Sequence, residues 1–174
     1  YLYRFVNYFF YLSHLINLKK STDLENFFYV QDKYIDWNKI YGKKGFAQFQ
    51  CVIPFDQSRT GLKELLTKIN DSGLGSFLAV IKRFGEQDGK ISFPMKGYTL
   101  ALDFKINEKT LNLMDELDNI TIKYNGRFYL AKDSRMSKKI FKKSDKRSEN
   151  YLDYRKKLGA EENFSSAQST RLGL

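Results

Sequence analysis

A lysine at the end of a predicted strand is the residue of this sequence that is best placed to do chemistry. Residues 127–131 form an apolar run after the turn signal Asn125-Gly126, and a charged cluster that contains Lys132 follows them. Turn residues before an apolar run are typical of a strand, and functional side chains concentrate where a rigid element passes into a loop. We therefore expect chemistry near Lys132, with an ordinary solvated lysine at a strand end as the alternative.

The composition allows one globular domain and argues against two kinds of site. The 174 residues are 42% hydrophobic and 16% aromatic, which is enough to build a core. Because Cys51 is the only cysteine and His14 the only histidine, no internal disulfide can form and a zinc site of the usual kind is not expected. A catalytic cysteine–histidine pair stays formally open, but Cys51 lies on an apolar strand face and is expected to pack as a small hydrophobic residue.

The net charge of +10 favours an anionic partner, such as nucleic acid, a phosphorylated small molecule, an acidic protein surface or an anionic lipid. Most of the excess lies in residues 132–157, which contain 11 lysines and arginines and 4 acidic residues. A solvated helical face is the alternative explanation for such a run of charge.

The first 45 residues are expected to form a helix and a connecting region. Apolar side chains recur at helical spacing near the start: Leu2, Phe5, Val6, Phe9, Leu12 and Ile16. Polar residues interrupt the run, so a transmembrane span is not expected. A signal peptide is not expected either, because no small-residue cleavage site follows an apolar core. The sequence predicts a cytoplasmic location, with a helix at a membrane surface as an alternative. A short strand is predicted over residues 27–30, and Trp37 and Tyr41 are expected to anchor the loop by packing. Because the first residue is Tyr1 rather than methionine, we expect a fragment or a processed product.

The middle of the chain changes between strand and helix periods in the order β-α-β-β-α-β. Strands are predicted over residues 47–53, 76–84, 98–104 and 127–131, with one helix after the first strand and another after the third. The apolar stripes of these helices are Leu62, Leu65, Leu66 and Ile69, then Leu113, Met114, Leu117 and Ile120. This order predicts an α+β, ferredoxin-like fold, in which both helices cover one face of an antiparallel sheet. The predicted organisation is an N-terminal helix and connecting region (1–45), a ferredoxin-like core (46–131) and a basic helical segment (132–174).

Strand alternation divides the sheet residues between two faces. The apolar set is expected beneath the helices and comprises Phe49, Ile53, Phe77, Ile81, Leu100, Leu102, Phe128 and Leu130. The opposite, open face is expected to carry Gln48, Gln50, Lys82, Thr99 and Tyr129 among Val52, Leu78, Val80, Phe84 and Ala101. An apolar surface with a few hydrogen-bonding groups is how a small-molecule site is usually lined, so we expect a binding site on this face.

A ferredoxin-like RNA-binding module is the alternative function. The topology and the positive charge suit such a module, and Lys44-Gly45-Phe46-Ala47 begins like its aromatic signature. That signature belongs on the third strand of the unit, whereas here it falls at the first. Gln48 and Cys51 stand where stacking aromatics would continue it, and only Phe84 and Tyr129 offer rings on the open face.

Short motifs along most of the chain resemble one family of flavoproteins. They are, in order, Phe28-Tyr29, Trp37-Asn38, Tyr41-Gly42, Gly45-Phe46, Gln48-Phe49-Gln50, Val52-Ile53-Pro54, Ser76-Phe77-Leu78, Lys82, Phe84-Gly85, Ser92-Phe93-Pro94, Gly97-Tyr98, Asp103-Phe104, Gly126-Arg127, and Tyr129 with Ala131-Lys132-Asp133-Ser134-Arg135. From about residue 27 to the last residue, the sequence resembles the C-terminal half of the decaprenylphosphoryl-ribose oxidase family. That family belongs to the vanillyl-alcohol-oxidase superfamily and is related to the aldonolactone oxidases.

The resemblance implies an FAD-dependent oxidoreductase that oxidises a sugar or sugar-alcohol hydroxyl group by hydride transfer to the flavin. It implies that FAD is bound mainly by an N-terminal domain absent from this chain, to which residues 132–174 would return. The chain alone is then expected to be inactive and to self-associate. Lys132 would be the catalytic residue that reaches flavin and substrate, and Tyr129 would join it in contacting the cofactor. The implied substrate-binding residues are Gln48, Gln50, Lys82, Phe84 and Thr99.

The implied partners are a sugar or polyprenyl-phosphate sugar substrate, the chain's own FAD domain and a partner short-chain reductase, and not nucleic acid. Two departures from the family pattern bear on the substrate. Members that act on prenyl-linked ribose have asparagine where Thr99 stands, and some have cysteine where Ala101 stands. We therefore expect a different sugar or sugar alcohol.

Overall fold

A computed structural model of the chain describes residues 2–16, 21–29, 35–87, 89 and 91–174. It contains two compact units, Tyr1–Trp37 and Asn38–Leu174. Within the described ranges, no helix combines the length and the apolar character that crossing a membrane requires.

The described residues of the first unit form two α-helices. α1 (Leu2–Ile16) confirms the predicted helix, and its aromatic side chains from Phe5 to Tyr11 are exposed. α2 (Leu24–Phe28) overlaps the strand that is predicted over residues 27–30. That prediction is wrong for residues 27–29, and residue 30 lies outside the described residues. The Asp23 carboxylate accepts a hydrogen bond from the backbone nitrogen of Asn26 at 2.7 Å. This N-cap favours a helix despite the β preference of the apolar run.

The second unit is built on a four-stranded antiparallel sheet. Its strands are β1 (Phe46–Pro54), β2 (Ala79–Phe84), β3 (Gly97–Lys105) and β4 (Arg127–Phe128), in the spatial order β2-β3-β1-β4. α3 (Phe55–Ser72) follows β1, and α4 (Glu108–Lys123) follows β3. This arrangement confirms the predicted ferredoxin-like fold. A 3₁₀ helix, Trp37–Tyr41, precedes the sheet, and its Tyr41 is buried as expected.

α3 packs on β1 and β3, and α4 packs on β1 and on α3, so both helices cover the same face of the sheet. The core between helices and sheet includes Phe49, Ile53, Leu65, Leu100, Leu102, Leu113, Met114 and Leu117. Gly73 ends α3 in the left-handed conformation (φ 68°), and Asn107 caps α4 reciprocally with Thr110. The prediction that Leu66 belongs to the apolar stripe of α3 is wrong, because Leu66 is 43% exposed. The buried stripe runs through Gly61 and Leu65 instead.

The edge strand β2 is shorter and more exposed than predicted. It begins at Ala79 rather than at residue 76, and it pairs with β3 so that Ile81 lies beside Leu100. Ile81 therefore points to the predicted face, yet Ile81 and Phe77 are each 52% exposed. The expectation that both are buried beneath the helices is wrong, because α3 and α4 pack over the central strands and leave this edge uncovered.

The last predicted strand, residues 127–131, is also shorter than expected. β4 ends at Phe128, although the backbone nitrogen of Tyr129 still donates to Gln50 O at 3.0 Å. The Lys132 nitrogen then donates to Tyr129 O at 3.0 Å, and Leu130–Lys132 form a 3₁₀ turn. The turn before β4 is as predicted: Asn125 has a φ of 54°. A side chain on the next residue would lie 2.7 Å from the Ile53 side chain, which explains why glycine follows.

Four short helices complete the chain: α5 (Lys138–Ser144), α6 (Ser148–Lys157), α7 (Ala160–Asn163) and α8 (Ala167–Leu172). Met136, Phe141 and Leu172 are buried in the same hydrophobic cluster as the sheet residues. The basic segment therefore packs on the core of this chain, while Leu158 and Phe164 remain exposed.

Candidate active site

An open cavity of about 670 Å³ lies where β1, β2 and the turn after β4 meet. Its lining combines aromatic, apolar and polar residues: Gln50, Lys82, Phe84, Ile91, Ser92, Phe93, Pro94, Phe128, Tyr129, Leu130, Ala131, Lys132 and Asp145. Five residues that the sequence singles out therefore share one cavity: Gln50, Lys82, Phe84, Tyr129 and Lys132. A cavity of this size and mixed lining suits a small organic ligand.

Gln50 and Thr99 form one unit in the sheet next to this cavity. The Gln50 Nε2 atom donates to Thr99 Oγ1 at 3.2 Å, and Thr99 Oγ1 donates to Cys51 O at 2.8 Å. Thr99 is fully buried and does not line the cavity. Its side chain thus holds Gln50, whose Oε1 atom has no hydrogen-bond partner within the described residues.

Gln48 lies on the same face but in an adjacent narrow cleft. Its Nε2 atom donates to Asp103 Oδ1 at 2.7 Å, and the Tyr41 hydroxyl donates to Asp103 Oδ2 at 3.4 Å. Burial, with the nearby Asp103 carboxylate, raises the pKa of Tyr41 to about 12, so this phenol stays protonated. Lys132 lines both the cleft and the main cavity. Gln48 is therefore near the cavity and is not part of its wall.

Two exposed lysines contribute positive charge to the cavity. Lys82 extends from the edge strand β2, and Lys132 extends from the 3₁₀ turn after β4. In the part of the chain that the structure describes, neither ammonium group makes a hydrogen bond or an ion pair. Both groups are therefore available to an oxygen-rich or anionic ligand.

Three aromatic rings form one side of the cavity. Phe93 stacks on Tyr129 with ring centroids 4.7 Å apart and an interplanar angle of 24°. The Phe84 ring meets Phe93 edge-on at 5.9 Å and 90°. Such pairs hold their rings in fixed orientations, so the wall is a preformed apolar surface.

Two arginines hold the loop that carries Phe93. Arg127 donates from Nε to Phe93 O at 2.8 Å and from Nη2 to Pro94 O at 2.5 Å. Arg147 donates to Ser92 O at 3.0 Å, and it forms a two-point pair with the Asp145 carboxylate at 2.7 and 2.8 Å. Burial, together with the positive charge of Arg147, lowers the pKa of Arg127. These contacts fix the loop as a wall of the cavity.

The segment that carries Lys132 is tied to α4 by a buried ion pair. Arg135 donates two hydrogen bonds to the Asp118 carboxylate, at 2.7 and 2.9 Å, and one to Asp115 at 2.6 Å. Asp118 is only 2% exposed, and burial raises its pKa to about 6, although the hydrogen bonds from Arg135 lower it. A bidentate pair of this kind restricts the backbone that follows Lys132.

Cys51 packs as the sequence predicts and cannot act as a nucleophile in this state. The side chain is fully buried in the core, and burial raises the pKa of the thiol to about 12. Among the described residues, no group of three or more histidine, cysteine or acidic side chains is arranged to hold a metal ion.

Sequence reasoning missed the loop residues that line the site, among them Ser92, Phe93 and Asp145. Phe93, Asp145 and Ser92 lie in loops without a strand or helix period, so no alternation could assign them to the cavity. The motif Ser92-Phe93-Pro94 was the available signal, since it appears among the residues that carry the family resemblance.

Comparison with known proteins relates the chain to an oxidase. It is 33% identical over 156 residues to decaprenylphosphoryl-beta-D-ribose oxidase of Mycolicibacterium smegmatis, covering 89% of this chain and 34% of that protein. It is 30% identical over 133 residues to an "Uncharacterized protein in mprA 5'region" of Streptomyces coelicolor, covering 75% of this chain and 36% of that protein. No protein-family model matches. The chain thus spans about a third of the length of these relatives, and the first match confirms the resemblance.

Proposed function

Because this chain resembles decaprenylphosphoryl-beta-D-ribose oxidase over most of its length, we propose that it is the substrate-binding part of an FAD-dependent oxidoreductase. The complete protein would oxidise a hydroxyl group of a sugar, a sugar alcohol or a polyprenyl-phosphate sugar. Most of the FAD would be bound by another domain of that protein. The similarity to an oxidase favours this function over RNA binding.

One observation carries the proposal: a single cavity gathers Gln50, Lys82, Phe84, Tyr129 and Lys132. The cavity has the amide of Gln50, two ammonium groups that have no partner among the described residues, and an aromatic side. A polyhydroxylated ligand needs donors and acceptors for its hydroxyl groups and a flat apolar surface for its ring. The residues present supply all of these.

Each of these groups has a distinct role in binding. The free Oε1 atom of Gln50 would accept a hydrogen bond from a ligand hydroxyl, since its Nε2 atom is already bound to Thr99. Lys82 would bind oxygen atoms or an anionic group of the ligand. The stacked pair of Phe93 and Tyr129 would cover the ring and exclude water from the reacting carbon.

Lys132 has the chemistry that a flavin-dependent oxidation needs next to the reacting atoms. When bound, FAD would accept the hydride from the carbon that bears the hydroxyl group. Within the described residues Lys132 has no partner, and it lines the same cavity as Tyr129. An ammonium group and an aromatic ring at one cavity fit the edge of a flat cofactor that gains negative charge on reduction. Its ammonium group would donate a hydrogen bond to the reacting oxygen or stabilise that negative charge.

Purification of the full-length protein provides the test. We expect a yellow protein whose flavin absorbance band bleaches under anaerobic conditions when the correct sugar, sugar alcohol or polyprenyl-phosphate sugar is added. A full-length protein that binds no FAD after reconstitution would contradict the proposal, and RNA binding by a colourless protein would favour the alternative.

A further inference from the structure

The last helix, α8, makes hydrogen bonds to the backbone of the segment that carries Lys132. The Gln168 side chain donates from Nε2 to two backbone carbonyls, Leu130 O at 2.6 Å and Asp133 O at 3.2 Å. These two carbonyls flank Lys132 in the sequence. One amide group therefore holds the backbone on both sides of the lysine.

A second residue of α8 holds the turn that follows. Arg171 donates from Nη2 to Asp133 Oδ2 at 2.8 Å, and from Nη1 to Met136 O. The other carboxylate oxygen of Asp133 accepts hydrogen bonds from the backbone nitrogens of Arg135 at 3.1 Å and Met136 at 2.8 Å. Arg171 thus fixes the carboxylate around which the chain turns after Lys132.

α8 is itself firmly placed. Ser166 and Ser169 form a reciprocal cap at its start, and Gly173 ends it in the left-handed conformation (φ 68°). Leu172 is fully buried in the core cluster. The helix can therefore act as a rigid support and not as a mobile tail.

The side chain of Lys132 has no support of its own. It is exposed, and within the described ranges its ammonium group has no partner. Its position in the cavity therefore depends on the backbone from which it extends. That backbone is held by α4 through Arg135 and by α8 through Gln168 and Arg171.

We propose that Gln168 and Arg171 are positioning residues that keep Lys132 at the cavity. The functional meaning rests on the proposed oxidation, because Lys132 is the residue placed next to the reacting atoms there. The positional claim can be tested without substrate or cofactor.

The test uses NMR of the chain with isotope-labelled dimethyl groups on its lysines, a modification that keeps their charge. Gln168→Glu keeps the shape of residue 168 but cannot donate to the two carbonyls. We expect the Lys132 resonance to shift toward the position of a free lysine side chain, while the Lys82 resonance stays unchanged. Arg155→Met is a control on a distant residue, since among the described residues Arg155 donates to Ala160 O and Phe164 O, away from the cavity.

Backbone exchange provides a second, independent readout. In Arg171→Met, the amides of Arg135 and Met136 should exchange about tenfold faster, because a hydrogen bond to a charged group is lost at Asp133. Arg171→Lys keeps the ion pair with Asp133 and should restore most of the protection. Thermal unfolding of each variant shows whether it remains folded.

Two results would overturn the inference. The first is an unchanged Lys132 resonance and wild-type exchange in folded Gln168→Glu and Arg171→Met. The second is an equal loss of amide exchange protection throughout β1 and β3. That result would mean that α8 stabilises the whole fold and does not specifically position Lys132. A full-length protein without FAD would refute the oxidation but would leave these NMR results standing, so the two failures can be told apart.

Discussion

Gln50 donates a hydrogen bond to the hydroxyl oxygen of Thr99 at 3.2 Å, and Thr99 is completely buried. This contact directs the amide nitrogen of Gln50 into the sheet and leaves its carbonyl oxygen for a ligand. Thr99 thus acts on the cavity through Gln50.

Thr99→Val should weaken substrate binding without abolishing the fold. Valine has nearly the same shape but cannot accept the hydrogen bond from Gln50 or donate to Cys51 O. We expect the free energy of unfolding to fall by about 1 kcal/mol and the KM of the full-length enzyme to rise about tenfold, as expected for one lost polar contact. Steady-state kinetics and thermal unfolding measure both effects.

Thr121→Val is the matched control for this substitution. Thr121 is equally buried, and its hydroxyl donates to Leu117 O at 2.9 Å within α4, on the helix side of the sheet. It should lose a similar amount of stability and keep the wild-type KM. Equal KM changes in both variants would show that Thr99 has no specific link to the cavity.

Arg147→Met should loosen the wall of the cavity. The substitution removes the hydrogen bond to Ser92 O and the pair with Asp145. We expect the NMR order parameters of the backbone amides of residues 91–93 to fall, because Arg147 no longer anchors the loop. Arg83→Met, which removes an arginine that lies over the Phe55 ring on the surface, should leave this loop unchanged. Unaltered order parameters in Arg147→Met would mean that Arg127 alone holds the loop.

The pKa of Asp118 predicts a specific pH dependence. Burial raises it to about 6, above the ordinary value of about 4. Protonated Asp118 therefore contributes its full stabilisation below about pH 4, and this contribution is lost as the pH rises through about 6. The free energy of unfolding of the wild type, relative to Asp118→Asn, should fall between these pH values.

NMR titration of the Asp118 carboxyl carbon measures this pKa directly. Because hydrogen bonds from Arg135 lower the pKa, Arg135→Met should raise the midpoint further. A wild-type midpoint below about 4, or a lower midpoint in Arg135→Met, would contradict this assignment.

The Cys51 thiol should be inert in the folded protein. It is fully buried with a pKa of about 12, and thiol reagents react with an exposed thiolate. We expect no labelling by a disulfide reagent at neutral pH and complete labelling after unfolding in guanidinium chloride. Rapid labelling of the native protein would place Cys51 outside the core.

Strand periodicity predicts the face of the site but not its whole wall. Gln50, Lys82 and Tyr129 come together because alternation along each strand depends only on local backbone geometry. Phe93 could not be assigned in this way, since it lies in a loop that is held by the distant residues Arg127 and Arg147. Asp145 lies just after α5, outside any strand. Tertiary contacts of this kind leave no period in the sequence.

The remaining errors also have physical causes. Ile81 points to the predicted face but is half exposed, because no helix in the described part of the chain covers the edge strand β2. The alternation of one strand does not show which parts of a sheet the helices cover. β4 gives way to a 3₁₀ turn at Leu130, where Gln168 and the backbone of the turn provide other hydrogen bonds. Thr99 lies on the predicted face, but hydrogen bonds to Gln50 and Cys51 O hold it away from the cavity.

The rate of flavin reduction in Lys132→Ala tests the central claim most directly. In the full-length protein, mixed anaerobically with its substrate, we expect the rate to fall about 100-fold or more, as for the loss of one group that stabilises charge in a transition state. Lys139→Ala is the control, because Lys139 is an exposed lysine on α5 that does not line the cavity, and it should keep the wild-type rate. Flavin reduction at the wild-type rate in Lys132→Ala would contradict the proposed role of this lysine.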